Sequence, residues 1–156
     1  MILFKANSPS PAIVLSLSVN DAKKVTSGAL TELIRKRYPK AVSPEWLYVW
    51  AKSPISALVG CAAIVRLQVI SVDEALESHE EYCLSVQELR EYCADYESLG
   101  VFVLGPYERA ETPLGLAELR EAGRFHPPQS FLYLSRQGRE YLSSEASFIS
   151  KGDTNQ

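Results

Sequence analysis

From residue 12 the chain alternates. In "AIVLSLSV" (12–19), Ile13, Leu15, Leu17 and Val19 share one parity, while Ser16 and Ser18 fall on the other. A period of two marks a half-buried strand. Asn20 then reads as the N-cap of "DAKKVTSG", and Gly28 as the residue that stops this helix. A side-chain oxygen satisfies a free N–H at the start, and glycine tolerates the left-handed backbone at the end. "ALTELIRKRYP" (29–39) reads as a second strand with apolar residues at both parities, so both of its faces are expected to be partly covered. Pro39 and Pro44 bracket a loop.

"EWLYVWAK" (45–52) predicts a third strand, with Trp46, Tyr48 and Trp50 on one face and Leu47, Val49 and Ala51 on the other. "ALVGCAAIVRLQVIS" (57–71) is long and rich in β-branched residues, which predicts a central strand with a bulge or bend at Gly60. The character then changes. Ser71 with Glu74, and Ser85 with Glu88, each fit the capping box S-x-x-E and predict helices over 72–79 and 86–96. In the second, Leu89, Tyr92, Cys93 and Tyr96 fall at helical spacing. "VFVLGPYE" (101–108) is expected to be a strand that breaks at Gly105-Pro106, and "GLAELREAG" (115–123) a short helix ended by Gly123.

Strand runs mixed with local helices, without strict β/α alternation, imply an α+β fold: a compact barrel with helices packed on its outside. The expected organisation is an N-terminal segment (1–11), one domain (12–142) and a flexible C-terminal tail (143–156).

Composition narrows the function classes. The chain has 156 residues, of which 46% are hydrophobic and 22% charged, as in ordinary globular domains. A net charge of -3 argues against bulk attraction to polyanions and leaves a local basic patch open. No apolar run approaches the roughly 18 residues of a membrane span, so no membrane partner is expected. "MILFKANSPSP" has neither the basic start nor the long apolar stretch of a signal peptide. Cys61, Cys83 and Cys93 form no C-x-x-C pair, which reads as reduced thiols in a cytoplasmic protein. With only His79 and His126 beside them, ligands for structural zinc are short, and neither metal nor cofactor is expected.

Charge is unevenly placed. Residues 73–97 hold nine acidic residues against Arg90, on helix faces read as solvated surface. Arg35, Lys36, Arg37 and Lys40 gather positive charge at the end of the second strand. Two readings compete there: a phosphate clamp, since Arg offers a planar fork and Lys a point charge, or a solvated strand end that discourages edge pairing. Alternation would send Arg35 and Arg37 to one face and Lys36 to the other. "HPPQSF" (126–131) reads as a rigid turn in which Gln129 and Ser130 are available for base-edge contacts. His126 lacks a partner for acid–base work and reads as structural, and Cys61 reads as core.

Several of these stretches together resemble the ASCH domain of the PUA-like superfamily. The landmarks are "IVLSLSVNDAKKVTSG", "TELIRKRYP", "LYVWAKSPISALVGCAAI" and "HPPQSFLYL", which span roughly residues 12–134. The resemblance implies a small β-barrel with a cleft between barrel and helices. It also implies binding of RNA or action on nucleosides, whether as a reader of modified bases, a hydrolase of acetylated cytidine or a ribonuclease. Its signature is G-x-K-x-x-E-x-R. Gly28 and Arg35 match the ends, whereas Leu30 and Leu33 stand at the Lys and Glu positions, and Glu32 sits one residue early. Thr31 and Glu32 are the remaining catalytic candidates, with Lys24 and Lys36 as substitutes for the missing lysine. In related proteins the region around Trp50 lines the cleft, which makes Trp50 a candidate stacking platform with Lys52 and Ser53 as companions. The expected partner is RNA or single-stranded nucleic acid, or a nucleoside. The altered motif weighs toward a binding module over an enzyme.

Overall fold

Ser18, rather than Asn20, caps the first helix: its hydroxyl accepts the N–H of Asp21, and at the other end Gly28 takes a φ of 83°. The computed structural model describes residues 11–150. Its strands are β1 (Ala12–Leu17), β2 (Glu32–Arg35), β3 (Trp46–Ala51), β4 (Ala57–Ser71), β5 (Ser98–Gly115), β6 (Phe131–Tyr133) and β7 (Phe148–Ser150). Its helices are α1 (Val19–Ser27), α2 (Val72–Glu77), α3 (Val86–Tyr92), α4 (Leu116–Ala122) and α5 (Arg136–Ala146). Both expected capping boxes are present, at Ser71/Glu74 and Ser85/Glu88.

The strands form one mixed sheet of seven in the order β2-β5-β4-β3-β1-β6, with β7 added to β5. β1 runs parallel to β3 and antiparallel to β6. All six of its residues are buried, so the expected half-exposed strand is instead covered on both faces and Ser16 is interior. Leu33 of β2 and Phe131 and Tyr133 of β6, from opposite ends of the strand order, pack on the same cluster as Leu15, Val49 and Phe102. A flat sheet cannot bring its two ends onto one core, so the sheet is curled. The opposite faces are covered separately. α4 and α5 bury Leu119, Leu142 and Ala146 against Tyr48 and Trp50, while α2 and α3 bury Ala75 and Leu89 against Ile34 and Val101. Each fully buried Leu contributes on the order of 1.5–3 kcal/mol.

Three further expectations change. β5 does not break at Gly105-Pro106. Its pairing passes from Leu104 opposite Ile64 to Tyr107 opposite Ala62, so two residues face one and a bulge absorbs the proline that cannot donate. β2 is shorter than 29–39, with the chain bending after Arg35. Residues 143–150 are not a tail: α5 continues to Ala146, and β7 pairs with Glu108–Ala110 of β5. The N-terminal segment before Pro11 and residues 151–156 lie outside the described residues. Among those described, no helix is long and apolar enough to cross a membrane.

Candidate functional site

The two strands that end the sheet order, β2 and β6, contribute their neighbouring residues to one cavity of about 460 Å³. Arg35, Lys36 and Arg37 come from the end of β2, Lys52 from the end of β3, and Gln129 and Ser130 from the turn before β6. The three consecutive cations share this cavity although strand alternation would separate them. Alternation holds only within a strand, and β2 stops at Arg35.

Three parts of this lining are held by named contacts. Arg35 donates from one guanidinium nitrogen to the carbonyl of Ile34 at 2.7 Å, and its other terminal nitrogen lies 3.7 Å from Asp21 Oδ2. Asp21 stands in the first turn of α1, so the helix that follows β1 supplies the cavity's carboxylate. The ammonium of Lys36 lies 4.7 Å from the centroid of the Tyr92 ring and 5.4 Å from that of Tyr96. The backbone N–H of Lys36 donates to the Tyr92 hydroxyl at 3.2 Å. The turn carrying Gln129 and Ser130 is tied down by Ser16, whose hydroxyl donates to the carbonyl of Pro128 at 2.6 Å.

The remaining candidates lie elsewhere. Trp50 is 3% exposed and packs on Phe125 with ring centroids 5.3 Å apart. Its face of β3 is the one that α4 and α5 cover, so its ring has no open side for a base. Ser53 is exposed beyond Lys52, outside the cavity lining. His126 is exposed. Cys61 is buried in the core, and burial, reinforced by Glu108, pushes its thiol up to about 12. Among the described residues no group of three or more His, Cys, Asp or Glu side chains is placed to hold a metal ion.

No protein-family model matches the chain. A protein of Zymomonas mobilis named "ASCH domain-containing ribonuclease" is 28% identical over 138 residues, which cover 87% of this chain and 93% of that one. The crystal structure of ASCH from Zymomonas mobilis superposes with a TM-score of 0.78 at 27% identity, over 86% of this chain and 94% of that one. The structure of a Tyr→Phe variant of the same protein superposes with a TM-score of 0.79 at 26% identity, covering 86% and 98% of the two chains. The chain is similar to members of the ASCH domain family over most of its length. Its curled sheet with outer helices is the PUA-like α+β architecture of that family.

Within this ASCH-like domain the motif strand is divided between different surroundings. Gly28 caps α1, and Arg35 lines the cation-rich cavity. Leu30 and Leu33, at the motif's Lys and Glu positions, are buried in the core with Phe102. Thr31 lines a second, apolar cavity of about 520 Å³ that shares no lining residue with the first. Glu32 turns toward Glu81 beside the 3₁₀ turn His79–Tyr82. Burial raises its carboxyl above the ordinary value, the hydrogen bond and charge of Glu81 add to this, and Arg66 opposes it. Asp21, Tyr92, Tyr96, Ser16 and Ser18 also line the first cavity and were not singled out as site residues from the sequence. The helical spacing of Tyr92 and Tyr96 read only as a packing face.

Proposed function

We propose that this ASCH-like domain binds single-stranded RNA in the 460 Å³ cavity. The observation that carries the reading is the meeting of Arg35, Lys36, Arg37 and Lys52 on one concave surface that also holds an amide and a hydroxyl, Gln129 and Ser130. In a chain of net charge -3, local convergence is what a phosphate-binding site requires. The guanidinium groups grip phosphate oxygens, and the amide of Gln129, donor and acceptor at once, suits a base edge. The ribonuclease name of the Zymomonas relative points toward the same class of partner. Three cysteines outside any disulfide fit a cytoplasmic setting.

RNA cleavage is the second reading, favoured by that relative's name and by Lys52 and Ser130 sharing the cavity. An ammonium there would stabilise charge gathering on a phosphate under attack. Hydrolysis of an acetylated nucleoside through Thr31 and Glu32 is less favoured, because neither lines this cavity.

Fluorescence anisotropy with a labelled single-stranded RNA, repeated across salt concentrations, tests the binding. Affinity is expected to fall with salt with a slope of about −0.7 per phosphate contacted. Arg35→Ala and Lys52→Ala should each weaken binding and flatten that slope by roughly one contact. Salt-independent binding, or none at low salt, overturns the proposal. Electrophoresis of the same RNA after incubation, with and without added divalent metal, decides whether it is also cut.

A further inference from the structure

The burial of Trp50 leaves the aromatic part of the cavity to other residues. Tyr92 and Tyr96 both line its wall. One ammonium, that of Lys36, lies 4.7 Å from the first ring centroid and 5.4 Å from the second. Both rings therefore border the space the ammonium occupies. The Lys36 N–H bond to the Tyr92 hydroxyl fixes that ring against the end of β2. Tyr96 is 37% exposed, one of four large hydrophobic side chains that the described fold leaves open. The other three, Ile55, Val65 and Val69, are aliphatic and line none of the cavities discussed above.

A ring face that attracts a cation through its quadrupole is also a face on which a nucleobase stacks. We propose that Tyr96, backed by Tyr92, is the base-stacking platform of the cavity, and that the site accepts one unpaired nucleotide of a single strand. This rests on the RNA-binding reading above. The base lies on Tyr96, and its phosphate meets Arg35 and Arg37. Lys36 leaves the rings for that phosphate, which its flexible stem and rotatable donors allow. With no ligand bound, the ammonium covers the ring faces. A volume of about 460 Å³ lies within the roughly 300–1,000 Å³ of small-ligand pockets, which suits a nucleotide and not a duplex. Bases in a duplex have both faces covered by their neighbours, so a platform of this kind selects single strands.

The test is anisotropy with three probes of one length: single-stranded RNA, the same backbone carrying abasic sites, and the duplex. Tyr96→Ala should weaken single-stranded RNA binding by about 5- to 150-fold, the range that the stacking of one base represents. It should leave the abasic oligomer unchanged, and Tyr96→Phe should restore binding to near the wild-type level. Because Tyr96 is 37% exposed and otherwise covered, urea unfolding of the alanine variant is read beside its affinity, so that a folding defect is not taken for lost stacking. If the wild-type protein binds none of the probes, the RNA reading falls and this inference with it. If wild type binds RNA and Tyr96→Ala binds it equally well, stacking is overturned while the RNA reading stands. Duplex binding as tight as single-strand binding also overturns it.

Discussion

The hydroxyl of Ser16 donates to the carbonyl oxygen of Pro128 at 2.6 Å, across 112 residues of chain. Through this bond a buried strand holds the turn that presents Gln129 and Ser130 to the cavity. Ser16→Ala leaves a carbonyl without its donor in a partly buried place, and the expected loss of stability is about 1–3 kcal/mol. Affinity for RNA should fall as well, because the turn loses its anchor. Urea unfolding and anisotropy on the same preparation read the two effects. Unchanged affinity at reduced stability would show that the turn keeps its place without this bond.

Asp21 places a carboxylate among the cations of the cavity, 3.7 Å from Arg35. Both partners are partly exposed, so the ion pair itself is worth at most about 1 kcal/mol to the fold. Its larger effect is on an incoming phosphate, which it repels and with which it competes for Arg35. Asp21→Asn should therefore bind RNA several-fold more tightly at low salt, with the advantage shrinking as salt screens it. Tighter binding that persists unchanged at high salt, or weaker binding, would contradict this account.

Trp50 belongs to the core, so its removal should damage folding before function. Trp50→Ala is expected to cost about 3–5 kcal/mol in urea unfolding. Trp50→Phe, which keeps an aromatic ring against Phe125, should retain RNA affinity close to wild type. A Trp50→Phe protein of normal stability that had lost RNA binding would return this residue to the site.

Glu32 gives the fold a pH dependence. Its carboxyl is raised above the ordinary 4.5, first by burial and then by Glu81. The folded state therefore keeps a proton that the unfolded chain has already released. Stability from this group is complete below about 4.5 and is lost as pH rises through the raised value. Glu32→Gln removes that loss. The variant's stability relative to wild type should grow from acidic toward neutral pH in a series of urea titrations. A difference that does not vary with pH would show that the carboxyl is not perturbed in the folded protein.

What the sequence determined by itself is the set of features made by near neighbours. The capping boxes at Ser71 and Ser85 and the left-handed stop at Gly28 arise from side chains and backbone within a few residues of one another, so their spacing predicts them. The span of β4 follows from its length and β-branched residues, and the α+β class from the order of the elements. Where surroundings outweigh pattern, the reading changed. β1 is buried on both faces, the stretch after 142 expected as a tail completes α5 and buries Ala146, and β5 carries Pro106 through in a bulge.

The cavity was decided only by the tertiary structure. The cationic run at 35–37 and the turn at 129–130 were visible as separate stretches. Their meeting depends on the curl that brings β2 and β6 onto one core, and on β2 ending at Arg35 so that three consecutive cations face one space. The same packing buried Trp50 and brought Tyr92 and Tyr96 to Lys36. Whether an aromatic on an alternating strand faces a ligand or a helix depends on what covers that face, and α4 and α5 come from chain far beyond β3.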